Sequence, residues 1–245
     1  MNKIFRPFYI AYQYLIAWPL LCVLTVFTAL FTIVTVHWRN AEFVHKVQQF
    51  WSRSFFWLMF LPVSVDGTEH IKPGQSYVFV SNHLSIFDVW LFYGWLPVVF
   101  KWLIKVELRK VPFVGTGCKA AGHIFIDRRS AKAAMESLHD VETQLVNGVS
   151  TVIFPEGTRS LNGEVGRFKR GAFQIALDLG LPVIPLSLTG CFKVLPKGRP
   201  FVQRHPVHMH IGESIDLKQF DDPNKAIEAV REAVIAGIVN YKSSK

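Results

Sequence analysis

No charged residue interrupts the chain between Pro7 and Val36, and the part from Leu20 to Val36 reads LLCVLTVFTALFTIVTV. A helix rising about 1.5 Å per residue through this run reaches far enough to enter or cross a hydrocarbon core roughly 30 Å thick. The run is too long for the core of a signal peptide, and no A-x-A cleavage pattern follows it. Thr25, Thr28, Thr32 and Thr35 recur at helical spacing and form one weakly polar stripe, which predicts a helix partner on that side. The partner is sought in Phe43 to Pro62, where Lys46 and Arg53 interrupt the apolar residues and Trp51, Phe55, Phe56 and Trp57 suit a membrane interface. Residues 1–64 are therefore expected to form a membrane-embedded two-helix hairpin. Lys3 and Arg6 at one end balance Arg39 and Lys46 at the other, so the charges give no orientation.

Beyond Asp66-Gly67 the pattern changes to short β-branched runs alternating with helical ones. Strands are predicted at Tyr77–Ser81, His123–Asp127, Ser150–Phe154, Val183–Leu188 and Val207–Ile211, and helices at Ser85–Leu96, Ser130–Val146, Phe168–Leu179 and Pro223–Val239. The last helix puts Ile227, Val230, Val234 and Ile238 on one face, with Asp222 as its N-cap and Pro223 at its first position. This alternation predicts an α/β domain over residues 65–245 with a mixed, largely parallel sheet flanked by helices. The apolar run Val89–Phe100 is expected to face lipid or an acyl chain.

Half of the 245 residues are hydrophobic, enough for one sizeable domain and a small appendage. The formal charge of +9 suits an anionic partner. Cys22, Cys118 and Cys191 are odd in number and widely spaced, which indicates neither a disulfide framework nor a zinc knuckle. A reduced, cytosol-facing domain is the simplest reading. The segment GTGCKA imitates a dinucleotide turn but leads into a strand, the reverse of the required context. In HPVHMHIG, the residues Val207, Met209 and Ile211 alternate with the histidines as in a half-buried strand, so no metal is assigned there.

Polar residues that could do chemistry gather where strands end: Asn82-His83 after the first, Asp127-Arg128-Arg129 after the second, PEGTRS after the third. In α/β folds ligands bind beyond the carboxyl ends of strands. His83 and Asp88, five apart, lie about 140° apart on a straight helix and can touch only if His83 sits in the turn before it. Asp88 would then fix the imidazole tautomer and leave the other nitrogen as a general base. The alternative is a histidine that caps the helix beside a solvated aspartate.

NHLSIFD (82–88), KVELRKVPFVG (105–115), GHIFIDR (122–128), FPEGTRS (154–160) and LPVIPLSLTG (181–190), in this order, closely resemble the glycerolipid acyltransferase family, and most closely its 1-acyl-sn-glycerol-3-phosphate acyltransferases. The resemblance covers about residues 77–215. It implies that His83 deprotonates the acceptor hydroxyl, that Asp88 supports His83, and that Arg128, Glu156, Gly157, Thr158 and Arg159 serve the acceptor's phosphate. Two guanidinium groups fork well onto a phosphomonoester, and Gly157 admits close backbone approach. Glu156 is expected to orient Arg159 or a glycerol hydroxyl. Lys105 helps to bind phosphate, or else pairs with Glu107 or anchors beside Trp102. Lys169 is either part of a basic site or ordinary solvated surface.

The resemblance implies acyl transfer from acyl-coenzyme A or acyl carrier protein to the sn-2 hydroxyl of lysophosphatidic acid, without metal or other cofactor. The partners are membrane lipids and these substrates, not nucleic acid. The place is the inner or cytoplasmic membrane, with the catalytic domain on the cytosolic side. Three other readings stand beside this one: an acyltransferase for another lysophospholipid or a lyso-ornithine lipid, a hydrolase with Ser85 as nucleophile, and a non-catalytic lipid-binding protein. The second lacks any G-x-S-x-G elbow.

Overall fold

The computed structural model describes residues 5–35, 41–111, 114–126, 144–145 and 147–243, apart from the side chains of Ala41, Lys105, Val114 and Ile126. The apolar run forms α1 (Arg6–Thr35), whose mean hydropathy reaches 2.2. Its Gln13–Ala17 turn is π-helical. Pro19 lies just beyond, and in a regular helix its ring would collide with the Leu15 carbonyl, so the wider turn relieves that clash. The second segment forms α2 (Ala41–Leu58). The threonine stripe meets it as expected: Thr28 and Thr32 are buried, and Trp51 Nε1 donates to Thr25 Oγ1 at 2.9 Å.

Among the described helices α1 alone is long and apolar enough to cross a membrane. This narrows the expected membrane-embedded hairpin, because Phe55, Phe56 and Met59 near the end of α2 are buried in the core that the sheet supplies. An aromatic helix face can be covered by lipid or by protein, and residue types do not distinguish the two. Here the cover is α3 (Phe87–Trp95). Phe55 stacks on Trp90 at 3.8 Å, Ser52 Oγ donates to the Trp90 carbonyl, and Arg53 Nε donates to that of Gly94. The run Val89–Phe100 is accordingly not lipid-facing as a whole: Leu91, Phe92, Leu96 and Phe100 are buried in protein.

Among the described residues seven strands form one sheet: β1 (Val63–Asp66), β2 (Val78–Ser81), β3 (Phe100–Lys105), β4 (Ile124–Ile126), β5 (Ser150–Ile153), β6 (Val183–Thr189) and β7 (Val207–Ile211). Their spatial order is β1-β7-β6-β2-β5-β3-β4, and every neighbouring pair is parallel except β6–β7. The expected mixed, largely parallel sheet is present. Among the described residues four further α-helices occur, α4 (Val114–Ala120), α5 (Gln174–Leu179), α6 (Cys191–Val194) and α7 (Pro223–Ser243). The predicted helix over Ser130–Val146 lies outside the described residues.

Central β2 shows why the sheet needs helices on both sides. Successive side chains point to opposite faces, so Phe79 enters the core beneath α2 and α3 while Val78 and Val80 enter the one beneath α7. The apolar face of α7 falls as expected, with Ile227, Val230 and Val234 buried. Asp222 Oδ1 caps it by accepting from the Asn224 amide at 2.8 Å.

The core beneath α2 and α3 contains buried imidazoles with a pH consequence. His123 bonds to the Tyr93 hydroxyl, and burial, then Lys101 and His45, push its pKa from 6.5 down to about 3. Burial pushes that of His45 down to about 4. Below pH 6.5 the unfolded chain takes up protons that the folded chain refuses. Stability therefore falls with pH by up to about 1.4 kcal/mol per unit per histidine until each folded value is reached. The apparent Tm is expected to drop from about pH 7 to about pH 5, and less steeply in His123→Gln. Parallel profiles for the two proteins would contradict a buried neutral His123.

Candidate active site

β2 hands the chain to Asn82, which is itself buried. Its side-chain amide donates to the Leu188 carbonyl at 3.1 Å and accepts from the Leu188 amide at 2.9 Å, locking the turn to β6. His83 follows in this turn, ahead of α3, and folds back over the first helical turn. Its Nδ1 lies 2.8 Å from Asp88 Oδ2. The same oxygen accepts from the amides of Leu84 at 2.6 Å and Ser85 at 2.8 Å. A carboxylate in the first turn of a helix also gains from the helix dipole.

The Asp88 side chain is 0% exposed. Close by, burial and then the charge of Asp88 raise the Cys191 thiol well above its ordinary pKa, which keeps it protonated. The His83 ring stacks on Phe154 with centroids 3.8 Å apart. Phe154 covers one face of the ring, and the side chain is 16% exposed. With Nδ1 donating to Asp88, the neutral ring has an unprotonated Nε2 able to receive a proton.

β5 delivers the second loop. Glu156 is nearly buried, and its oxygens accept from the backbone amides of His83 at 2.9 Å and Gly166 at 3.0 Å. The Ser160 amide in turn donates to the His83 carbonyl at 2.7 Å. Each loop thus holds the other through the backbone of His83. Both oxygens of Glu156 therefore bind backbone amides, a role the sequence does not announce. A Cβ on Gly166 would lie 2.8 Å from Glu156 Oε2, so the bridge needs glycine there.

Gly157 turns the loop at φ +75°, a conformation that favours glycine. A Cβ at this position would sit 2.9 Å from Lys169 Nζ, so the ammonium lies over the turn. The Lys169 backbone is tied in as well, its amide donating to the Pro155 carbonyl at 3.0 Å. Thr158 is exposed and Arg159 half-buried on the same loop. His83, in the turn before α3, and Asp88, in its first turn, therefore adjoin the loop that carries Glu156, Gly157, Thr158 and Arg159. Lys105 ends β3, paired with Ile126 of β4, but its side chain and the whole of Arg128 lie outside the described residues.

Ser85 is fully buried, donates its hydroxyl to the Leu195 carbonyl at 2.8 Å and accepts from the Phe87 amide at 3.3 Å. A hydroxyl committed in this way is a poor nucleophile. Ser85→Ala is expected to retain most activity in steady-state assays while losing about 1–3 kcal/mol of stability from the unpaired groups. Loss of activity with unchanged stability would restore Ser85 as a reacting group.

Residues 62–189 match the family model described as Acyltransferase. The crystal structure of the 1-acyl-sn-glycerophosphate (LPA) acyltransferase PlsC from Thermotoga maritima superposes with a TM-score of 0.82 at 30% identity, over 99% of this chain and 98% of that one. A 1-acyl-sn-glycerol-3-phosphate acyltransferase from Chlamydomonas reinhardtii is 29% identical over 97% of this chain and 70% of its own. The alpha form from Homo sapiens is 35% identical over 64% of this chain, which spans 56% of the human protein. Several curated relatives are thus about twice the length of the segment they share with this chain.

Proposed function

The chain belongs to the acyltransferase family, and from that premise we propose that it moves a fatty acyl group from a thioester of coenzyme A or acyl carrier protein to the sn-2 hydroxyl of 1-acyl-sn-glycerol 3-phosphate, making phosphatidic acid. The observation that carries this reading is the pair His83–Asp88, with one imidazole nitrogen held by a buried carboxylate and the histidine side chain partly exposed.

In the proposed step His83 Nε2 takes the acceptor's hydroxyl proton as that oxygen attacks the thioester carbonyl. The tetrahedral intermediate collapses, the C–S bond breaks, and the thiolate leaves with the proton returned by the imidazolium. The acyl group has then passed from sulfur to oxygen with no net proton change. Asp88 orients the ring and offsets its transient charge.

Gly157, Arg159 and Lys169 are assigned to the acceptor's phosphate, because the loop that bears them is joined to His83 by hydrogen bonds. Lys105 and Arg128 are assigned to the same phosphate by the family resemblance alone. A bilayer-bound acceptor suits a chain whose first helix is long and apolar enough to enter the membrane. The catalytic domain is placed on the cytosolic side, where the thioester donors are made.

The test supplies lysophosphatidic acid and a labelled acyl thioester to the purified full chain, with monoacylglycerol as a phosphate-free acceptor. Phosphatidic acid is expected, and monoacylglycerol should react about 10- to 100-fold more slowly for each charged phosphate contact it forgoes. Equal rates for the two acceptors would remove the phosphate assignments. Phospholipid binding with no acyl transfer would remove the enzyme reading.

A further inference from the structure

A basic cleft, of about 350 Å³, opens at the base of α1, with Arg6, Ile10, Arg199, Phe201, Gln203 and Arg204 in its lining. None of these residues belongs to the loops that hold His83. Among the described residues no carboxylate pairs with any of the three arginines. Three guanidinium groups facing one cleft without a counter-charge repel one another, an arrangement that an anion relieves.

The cleft is constructed by specific bonds. Gln13, in the π-helical turn of α1, is 0% exposed. Its side chain donates to the Val202 carbonyl and accepts from the Val202 amide, both at 2.9 Å. Next to it the Tyr14 hydroxyl donates to the Pro200 carbonyl at 2.7 Å. A buried glutamine adds nothing to a lipid anchor as such, and here it fixes the segment that carries Arg199 and Arg204 against the helix. Arg204 Nε donates to the Phe60 carbonyl at 3.1 Å, which leaves the two terminal nitrogens of the guanidinium for a ligand. Phe60 presents that carbonyl from a left-handed conformation, φ +51°, unusual for a bulky residue. Arg6 lies over the Phe201 ring, 4.9 Å from its centroid.

We propose that Arg6, Arg199 and Arg204 form a site for the phosphate of an anionic membrane phospholipid, separate from the acceptor site and independent of the reaction proposed above. Arginine forks match phosphate oxygens in pairs. The lipid is favoured over a free phosphate by what adjoins the cleft: Ile10 and Phe201 line it, and Leu15, Ile16, Leu20 and Val23 of α1 are exposed beyond it. A headgroup at the arginines would lay its acyl chains along this apolar face, whereas a soluble phosphate would gain only the charges.

The full chain, purified in detergent, is mixed with vesicles of phosphatidylcholine alone or containing phosphatidylglycerol, and bound protein is measured by flotation. Arg199→Gln with Arg204→Gln is expected to weaken binding to the anionic vesicles about 30-fold, and Arg6→Gln alone about 5-fold, with phosphatidylcholine binding unchanged. Lys218→Gln with Lys225→Gln removes the same charge away from the cleft and is expected to cost about 2-fold or less. Thermal unfolding of each variant separates lost binding from lost folding. Equal losses in the arginine and lysine pairs, or no loss in the arginine pair, would overturn the site. Displacement by inorganic phosphate at constant ionic strength would overturn its assignment to a lipid.

Discussion

Replacing His83 by Ala is expected to lower kcat about 10²- to 10⁴-fold, the range a positioned general base supplies. The structure makes this a clean substitution in one respect: the backbone of His83, through its amide to Glu156 and its carbonyl to Ser160, carries the bonds that join the two loops. Alanine keeps those backbone bonds and removes only the ring, its stacking on Phe154 and its bond to Asp88. The removal leaves a buried carboxylate with two amide partners in place of three, so some stability is lost, about 1–3 kcal/mol. The kinetic loss should therefore far exceed the fraction of protein unfolded at the assay temperature. Binding of the lysolipid to the alanine variant should stay within a few-fold of wild type, because the residues proposed to hold its phosphate are on the other loop. A variant that turns over within about tenfold of wild type would exclude His83 as the base.

The candidate site was legible in the sequence to the extent that polar residues at strand ends are conspicuous. His83 and Asp88 stand out between two apolar runs, and their spacing permitted a contact only in the turn-then-helix geometry that the 2.8 Å distance shows. The job of Glu156 was not legible, because a side chain that binds backbone amides leaves no partner residue to look for. Asn82 escaped for the same reason, since its two bonds go to the backbone of a residue more than a hundred positions away. Lys169 was readable only as one charge among several, and it takes the fold of the 155–169 loop to bring it over Gly157.

The sheet divides in a similar way. β2, β4, β5, β6 and β7 are short runs rich in β-branched residues, and all five lie where the pattern predicts them. β1 and β3 were missed. β1 is a four-residue edge strand with only two apolar positions. β3, FKWLIK, carries lysines at its second and last positions and follows directly on an apolar helix. Its register with β5, at Phe100↔Ser150, is set by tertiary pairing that no local pattern contains. The N-terminal helices expose the limit of hydrophobic patterning most clearly. α1 reads as an unbroken apolar run and α2 as an aromatic one broken by Lys46 and Arg53, and neither pattern names its cover: α1 presents Leu15, Val23 and Phe27 outward while the end of α2 buries Phe55 and Phe56 in the domain.

Replacing Asp88 by Asn separates orientation from base strength, and it is expected to cost as much activity as removing the base, about 10²- to 10⁴-fold. Asn can place its carbonyl oxygen where Oδ2 now accepts from the amides of Leu84 and Ser85, so the first turn of α3 keeps its bonds. An oxygen so placed can still accept from His83, but the neighbouring NH₂ replaces an anion with a donor. The negative charge that offsets the imidazolium is gone, and the NH₂, if turned toward the ring, forces the proton to Nε2. Either outcome disarms the nitrogen that must take the acceptor's proton. A merely structural role for Asp88 would not move the proton between ring nitrogens. The decisive measurement is therefore ¹⁵N NMR of labelled histidine in detergent, beside kcat and thermal unfolding. Wild type should show His83 carrying its proton on Nδ1, and the Asn variant should show a change in that population together with the kinetic loss and a small change in Tm. An unchanged tautomer with full activity would leave Asp88 as a helix-turn carboxylate. Unfolding in step with the activity loss would instead make its burial, rather than its bond to His83, the reason it is there.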